Sequence, residues 1–196
     1  IISYHYWPEL NPRSFRWQTL ARHWANAKHD VSVITATSLD DRVQDNDPGV
    51  RVLRVRENLV GRLRRKMANA EAGDNSTGKG ESKVNAGRFS GHRVILRVVK
   101  KLYGLFIKKL QWPDFAWTWI WSARKATATY LHTNGLPDVV ISVSHPFSSH
   151  FAGAVAKRKY PHIKWIMDCG DPFCFLVESP CNNHGLYKKL NHHIEK

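Results

Sequence analysis

The chain has 196 residues, of which 42% are hydrophobic, so it is long enough and apolar enough for one domain with a real core. No apolar run approaches the roughly 20 residues that span a bilayer, and we expect a protein that is soluble or peripheral to a membrane. The formal net charge is +14, but residues 51–110 contain 16 Lys and Arg against 4 Asp and Glu, so the question of an acidic partner concerns this segment.

The first predicted elements are a strand, a helix and two further strands. Residues 1–4 begin a strand, and a loop rich in Trp, Pro and Arg leads to a helix over FRWQTLARHWANA (15–27), for which Ser14 is the predicted N-cap. VSVITAT (31–37) is rich in β-branched residues and is predicted to be a strand. VRVLRVRE (50–57) alternates apolar residues with Arg, which is typical of a half-exposed strand.

The middle of the chain differs in composition from what precedes it. Residues 61–93 are basic and, from residue 67, rich in Gly, Ser and Asn, which predicts a mobile segment. VILRVVKKLYGLFIKKL (94–110) has broad apolar coverage with its cations on one side at helical spacing. A turn at WPD and a helix ending at Asn134-Gly135 are predicted to follow.

The last third predicts strand, helix, strand and a final helical pattern. PDVVISVS (137–144) and KWIMD (164–168) are typical of buried strands, and FSSHFAGAVAKRKY (147–160) is typical of a helix. The whole order predicts an α/β fold with a Rossmann-like parallel sheet covered on both faces. Functional side chains are then expected at the carboxyl ends of the strands.

The two ends predict a fragment, since residues 1–4 are short for the strand they begin and the final helical pattern has no cap. We therefore expect the front part of a larger protein. Cys169, Cys174 and Cys181 form no disulfide framework, and this favours reduced thiols in the cytoplasm. Their spacing lacks the paired C-x2-C of a strong zinc site, so no metal is expected.

Arg13, Ser14 and Arg16 lie where the first strand gives way to a helix. Backbone N–H groups at a helix N-terminus, together with guanidinium groups, suit a phosphate. An N-cap with two solvated arginines is the alternative. The glycines of a dinucleotide-binding fingerprint are absent, so a Rossmann cofactor site is only weakly supported.

Two further stretches follow buried strands and carry candidate catalytic groups. SHPFSSH places His145 and His150 where either can act as a base, orient a hydroxyl or donate to a developing charge. DCGDPF places Asp168 and Asp171 where a carboxylate can hold a sugar hydroxyl or transfer a proton. The alternatives are an ordinary polar loop and a turn stabilised by Asp171.

The basic segment has three interpretations. It can lie on an anionic membrane, where each nearby cation contributes about 1 kcal/mol, it can bind nucleic-acid phosphates, or it can include a core helix with a solvated face. The membrane is favoured, and no nucleic-acid partner is expected because no binding signature accompanies the charge. The candidate membrane-binding residues are Arg62, Arg64, Arg65, Lys66, Arg97, Lys100, Lys101, Lys108 and Lys109.

Two blocks of the sequence resemble the N-terminal domain of family 4 glycosyltransferases. YHYWPELNPRSFRWQTLARHWANAKHDVSVITA (4–36) resembles its strand, Pro-containing loop, helix and G-H-x-V-x-V-x-T element, with Lys28 in place of Gly. PDVVISVSHPFSSHFAGAVAKRKYPHIKWIMDCGDPF (137–173) resembles a second block that ends in D-x-R-D-P-W, with Gly170 for Arg and Phe173 for Trp.

The resemblance implies a retaining glycosyltransferase of the two-lobed GT-B fold, with residues 1–196 as the acceptor-side lobe of a hexosyl- or other glycosyltransferase. It implies a nucleotide-sugar donor, an envelope-glycan or lipid-linked acceptor, no bound metal and a position at the inner face of the membrane. Alternatives are another GT-B-type enzyme, such as a nucleotide-sugar 2-epimerase, and a non-enzymatic basic module that binds membrane or nucleic acid.

The matching positions supply expected site residues. The loop with Asn11, Arg13 and Ser14 corresponds to the segment that approaches the donor diphosphate. It lacks the glycines of many relatives, so Arg13 or Arg16 is expected to make the contact. His145 and His150 both lie near the position of the cleft histidine, while Asp168 and Asp171 match the two aspartates of the D-x-x-D-P element.

Overall fold

The computed structural model describes residues 1–37, 47–62, 111–170 and 185–195. All five strands pair in parallel in one sheet of order β3-β2-β1-β4-β5. The strands are β1 (Ile2–Ser3), β2 (Val31–Ala36), β3 (Val50–Val55), β4 (Val139–Val143) and β5 (Lys164–Asp168). The helices are α1 (Pro12–Asn26), α2 (Ile120–Thr133), preceded by a 3-10 turn at Trp117–Trp119, α3 (Ser148–Lys159) and α4 (Gly185–Glu195).

The strand order places a switch point between β1 and β4. From β1 the chain proceeds outward through β2 and β3, and it then returns to add β4 and β5 on the other side. Ile2 pairs with Ile34 of β2 and with Ser142 of β4, so β1 is the central strand. A crevice at the carboxyl ends of the strands is expected at such a point, because the flanking connections leave it in opposite directions.

The two faces of the sheet are packed by different helices. Side chains of a strand alternate between faces, and in β2 the residues Val31 and Val33 pack in a buried cluster with Trp17 of α1. Ile34 belongs to the cluster on the other face, which includes Trp119 and alanines of α2 and α3. The predicted Rossmann-like α/β fold, with a parallel sheet flanked by helices, is therefore confirmed.

Local signals located most described elements to within two or three residues. The end of α2 is confirmed, with Asn134 as its C-cap and Gly135 at a φ of 83°. Lys28, which follows the C-cap of α1, has a φ of 69° in the left-handed region. This backbone favours glycine, so Lys28 adopts a conformation that is uncommon for its residue type.

Two predictions about local structure were wrong. Ser14 is not the N-cap of α1, because Pro12 begins the helix earlier and Asn11 caps it. KWIMD is a strand but not a buried one, because β5 lies at the edge of the described sheet and leaves Ile166 52% exposed. Burial follows from neighbours that the local composition does not specify.

Several sequence predictions lie outside the described residues. They concern most of the basic mobile segment, the helix over 94–110 and the side chains of Asp171, Cys174 and Cys181. Of the nine candidate membrane-binding residues only Arg62 is described, and it is exposed. Within the described part of the chain, no helix has the length and hydropathy needed to cross a bilayer.

Candidate active site at the carboxyl edge of the sheet

The first two turns of α1 are joined directly to the ends of β4 and β5. Arg13 Nη1 donates to the carbonyl oxygen of Ser144, just after β4, over 2.7 Å. Asp168, the last residue of β5, accepts from Arg16 Nη2 at 3.3 Å and from Trp17 Nε1 at 3.1 Å. Residues from the start of α1 and from two strand ends therefore meet at one edge of the sheet, as the parallel topology predicts.

The N-terminus of α1 is built from Asn11 and buries Ser14. The Asn11 side chain accepts from the Arg13 backbone N–H at 2.9 Å, which satisfies one of the donors that a helix leaves unpaired at its start. Ser14 is fully buried, and its Oγ has no hydrogen-bond partner among the described residues. The first turn contains no acidic residue, so the positive end of the helix dipole is not neutralised from within α1.

Arg13 lies against the backbone of Gly170. A Cβ built at Gly170 would come within 2.3 Å of Arg13 Nη1, well inside any permitted contact. Any larger residue at position 170 therefore requires Arg13 to move away from Ser144. Arg13 is accordingly a half-buried group with a fixed place, rather than the solvated arginine that the sequence left open.

His150 is the buried histidine of the site. It lies in the first turn of α3 and is 2% exposed. Its Nδ1 is 2.8 Å from Ser142 Oγ on β4, and its Nε2 is 3.7 Å from Cys169 Sγ, just after β5. Burial lowers the pKa of His150 to about 4, and the negative charge of Asp168 opposes this effect only in part. The imidazole is therefore neutral near physiological pH.

Trp165 and Gly153 help to hold His150 in position. Trp165 of β5 donates its Nε1–H to Ser142 Oγ at 2.9 Å. The indole has room because residue 153 of α3 is Gly, whose Cβ, if present, would lie 2.4 Å from Trp165 Nε1. Gly153, Trp165 and Ser142 thus fix the position of His150.

His145 is in a different environment from His150. It is exposed in the connection between β4 and α3, and its ring packs edge-on against Phe115 with centroids 5.7 Å apart. Phe115 also contacts the rings of Tyr4 and His5, which follow β1. An aromatic surface therefore lies beside the exposed histidine. Of the two candidates, His145 is the accessible one and His150 is buried.

Asp114 is a buried carboxylate that the sequence analysis missed. Its oxygens accept from the Ser148 N–H at 2.9 Å, from Ser148 Oγ at 2.6 Å and from the Ala116 N–H at 2.9 Å. Burial raises the pKa of Asp114, while these three hydrogen bonds and the charge of His145 act in the opposite direction. Asp114 fills the N-terminus of α3, so this helix end has an internal anionic partner.

The structure thus brings together Asn11, Arg13, Ser14, Arg16, His145, His150 and Asp168 at this edge. It adds Asp114, Ser142, Trp165 and Cys169. Trp165 pairs with Ser142 across strands, and Cys169 pairs with His150 of α3. The single available signal was the position of Ser142 and Cys169 near the carboxyl ends of β4 and β5. A separate cavity of about 590 Å³ opens at the opposite, amino edge of the sheet and is lined by none of these residues.

Comparisons with models of protein families, with curated proteins and with solved structures find no match to this chain.

Proposed function

We propose that this chain is the acceptor-side lobe of a retaining GT-B glycosyltransferase that uses a nucleotide-sugar. The observation that carries the proposal is the junction of α1 with the ends of β4 and β5 through Arg13, Arg16 and Asp168. It concentrates cations and a helix N-terminus at the switch point of a parallel sheet, where α/β proteins bind ligands. The resemblance of residues 4–36 and 137–173 to family 4 enzymes supplies the reaction type.

In the proposed reaction the leaving diphosphate faces the N-terminus of α1. Arg13 and Arg16 already hold Ser144 and Asp168, but a guanidinium group has five N–H donors, and each arginine can retain its partner while it donates to a phosphate oxygen. Positive groups fixed in advance stabilise the charge that develops as the sugar departs. The proposed mechanism needs no metal, since these cations and the helix dipole supply the positive charge.

In the proposed reaction the acceptor hydroxyl approaches near His145, with Asp171 as a second polar group and Phe115 as an apolar wall. His145 is exposed and can exchange a proton with the hydroxyl. His150 is neutral and buried, so it can only donate a hydrogen bond or hold neighbouring groups in position. We therefore assign proton transfer to His145 and a supporting role to His150.

The acceptor is proposed to be an envelope glycan or a lipid-linked glycan at an anionic membrane surface. The basic segment of residues 51–110 supports this, and Arg62, the one candidate membrane-binding residue that is described, is exposed. Co-sedimentation with phosphatidylglycerol vesicles, compared with phosphatidylcholine vesicles, tests the attachment. Equal binding to both would exclude an electrostatic contribution from this segment.

Transfer is tested by incubating the complete gene product with a panel of UDP- and GDP-sugars and with membrane lipids as acceptor. Nucleoside diphosphate release and the mass of the glycolipid are measured. We expect product from one donor and a loss of about 10²-fold in kcat for Arg13→Met. The matched control is Arg158→Met, which removes an exposed arginine from the last turn of α3.

Three outcomes would contradict this proposal or its mechanism. A folded protein that releases no nucleoside diphosphate from any donor is not a glycosyltransferase of this kind. Conversion of a nucleotide-sugar without any acceptor would instead indicate an epimerase on the same sheet. Equal kcat values for Arg13→Met and Arg158→Met would show that the α1 junction takes no part in the reaction.

A further inference from the structure

The hydrogen bonds around His150 determine which of its nitrogens carries the proton. The Trp165 indole N–H can only donate, so Ser142 Oγ is the acceptor in that bond. Ser142 is fully buried and has one hydroxyl proton to donate, for which the partner shown is His150 Nδ1 at 2.8 Å. His150 Nδ1 is therefore the acceptor, and the neutral ring carries its proton on Nε2.

The protonated Nε2 points to the sulfur of Cys169. The two atoms are 3.7 Å apart, which is within hydrogen-bond range for sulfur. Cys169 is exposed and forms no disulfide, so its sulfur is accessible to reagents from solution. Because a thiolate accepts a hydrogen bond more strongly than a thiol does, a fixed N–H donor favours the thiolate.

Charged groups from each neighbouring element act on the same sulfur. Asp168 on β5 adds a negative charge, but Arg16 and Trp17 of α1 both hold its carboxylate. Arg13 of α1 lies against Gly170, the residue after Cys169, and adds a positive charge. His150 of α3 is neutral and contributes its N–H, so the described groups near the thiol are one hydrogen-bond donor, one guanidinium and one carboxylate that is already paired.

We propose that Cys169 and His150 form a thiol–imidazole pair in which His150 donates to the sulfur, and that Cys169 is a nucleophilic thiol modified by small-molecule disulfides. In this reaction the Cys169 thiolate attacks one sulfur of a disulfide such as oxidised glutathione. A new S–S bond forms, the original S–S bond breaks, and the departing thiolate takes up the proton that Cys169 lost to solvent. Cys169 is oxidised and the leaving half of the disulfide is reduced.

The modification has a structural consequence for the neighbouring arginine. Arg13 Nη1 lies at the backbone of Gly170, the residue after Cys169, so the two carboxylates of a glutathionyl group on Cys169 are expected to draw that guanidinium away from Ser144. Loss of glycosyl transfer on modification would follow, and this consequence alone rests on the proposed function. The reactivity of Cys169 does not.

The test uses the full chain with Cys174→Ser and Cys181→Ser, so that Cys169 is its single thiol. Alkylation by iodoacetamide is followed against pH in the folded protein and in concentrated urea. The midpoint in urea should lie near the ordinary thiol value of about 8.5, and the folded midpoint about one unit lower. Near pH 7 the folded protein should react about threefold faster, because the thiolate fraction rises more than its intrinsic reactivity falls.

Variants connect this reactivity to the hydrogen-bond chain. His150→Phe should return the midpoint to the urea value, and the matched control His162→Phe, at an exposed histidine, should leave it unchanged. Trp165→Phe removes the indole N–H that donates to Ser142 and should raise the pH midpoint of alkylation by a few tenths of a unit. Oxidised glutathione should add one glutathionyl mass to the parent and none to Cys169→Ser.

Three results would overturn the proposal. The first is a pH midpoint of alkylation in the folded protein that equals or exceeds the midpoint in urea. This measurement needs no variant of His150. The second is a ¹⁵N imidazole spectrum in which His150 carries its proton on Nδ1. The third is glutathionylation at equal rates in the folded and unfolded protein.

Discussion

Burial and the nearby charge of Asp168 shift the pKa of His150 in opposite directions. Burial lowers the pKa to about 4 and thereby outweighs the nearby Asp168. In the unfolded chain the side chain titrates near its ordinary value of about 6.5. The unfolded state therefore binds more protons than the folded state between these two pH values, and lowering the pH through this window destabilises the protein.

We predict that this one residue removes up to about 3 kcal/mol of stability as the pH falls from about 6.5 to below about 4. Urea unfolding of the wild type and of His150→Phe at several pH values measures the effect. The difference in stability between the two should shrink as the pH falls through the window. His162→Phe, at an exposed histidine, serves as the control. A difference that stays constant with pH would mean that His150 titrates alike in both states.

The elements themselves depend on capping and close packing at identifiable residues. In α1 the sequence predicted Ser14 as the N-cap, and the structure assigns that role to Asn11. Ser14 is instead buried within the first turn, without a described hydrogen bond. Replacing Asn11 and replacing Ser14 by Ala should therefore change the free energy of unfolding differently, although Asn and Ser are both favoured N-cap residues.

We predict that Asn11→Ala lowers the free energy of unfolding by about 1 kcal/mol, because the Arg13 N–H loses its acceptor. Ser14→Ala should be neutral or stabilising by a few tenths of a kcal/mol, since it removes a buried hydroxyl that makes no described bond. Urea denaturation of both variants provides the comparison. A larger loss for Ser14→Ala than for Asn11→Ala would restore Ser14 as the cap.

The contact between α3 and β5 depends on Gly153. In an isolated helix Gly→Ala stabilises by about 0.5–1 kcal/mol. Here the new Cβ would lie 2.4 Å from Trp165 Nε1 and 3.0 Å from Ser142 Cβ. We predict that Gly153→Ala reverses the usual sign and destabilises by about 1–3 kcal/mol, measured by chemical unfolding.

A double-mutant cycle isolates the contact from the other effects of the alanine. In a Trp165→Leu background the indole is absent, and Gly153→Ala should cost much less or become stabilising. An equal loss in both backgrounds would show that the indole is not the obstacle. The cycle also tests the support beneath His150, because the same indole donates to Ser142.

At the scale of the whole molecule, the sequence specified the architecture better than the site. β-branched runs located β2, the Asn134-Gly135 pair located the end of α2, and the alternation of elements predicted the parallel sheet. These signals are local or periodic, and the burial of a helix or strand face enforces them. They place the strand ends correctly, and Arg13 and Asp168, both predicted to be site residues, accordingly lie at the carboxyl edge of the sheet.

The remaining site residues depend on contacts that no local pattern encodes. Asp114 binds Ser148 across 34 residues of sequence, and Trp165 reaches Ser142 across 23. Each of these side chains also has an ordinary role in a turn or strand, so its type does not reveal a partner. The exposure of β5 is similar, because strand composition does not specify whether a further strand lies beside it.

Asp168 links the two halves of the sheet, β1 to β3 and β4 to β5, at the carboxyl edge near the switch point. Arg16 and Trp17 belong to the first half, and the carboxylate they share ends the last described strand of the second. The two contacts differ in environment, since the Arg16 side chain is 55% exposed, while Trp17 is buried. An exposed ion pair contributes little, about 0–1 kcal/mol, whereas a hydrogen bond to a carboxylate away from water contributes about 1.5–3 kcal/mol.

We predict that the indole, rather than the ion pair, carries most of this junction. Double-mutant cycles by urea unfolding should give a coupling below about 1 kcal/mol for Arg16→Met with Asp168→Ala. They should give about 1–2 kcal/mol for Trp17→Phe with Asp168→Ala. Salt should reduce only the first coupling, because screening acts on exposed charges. If the Arg16 coupling proved the larger, the junction would be electrostatic and would weaken as ionic strength rises.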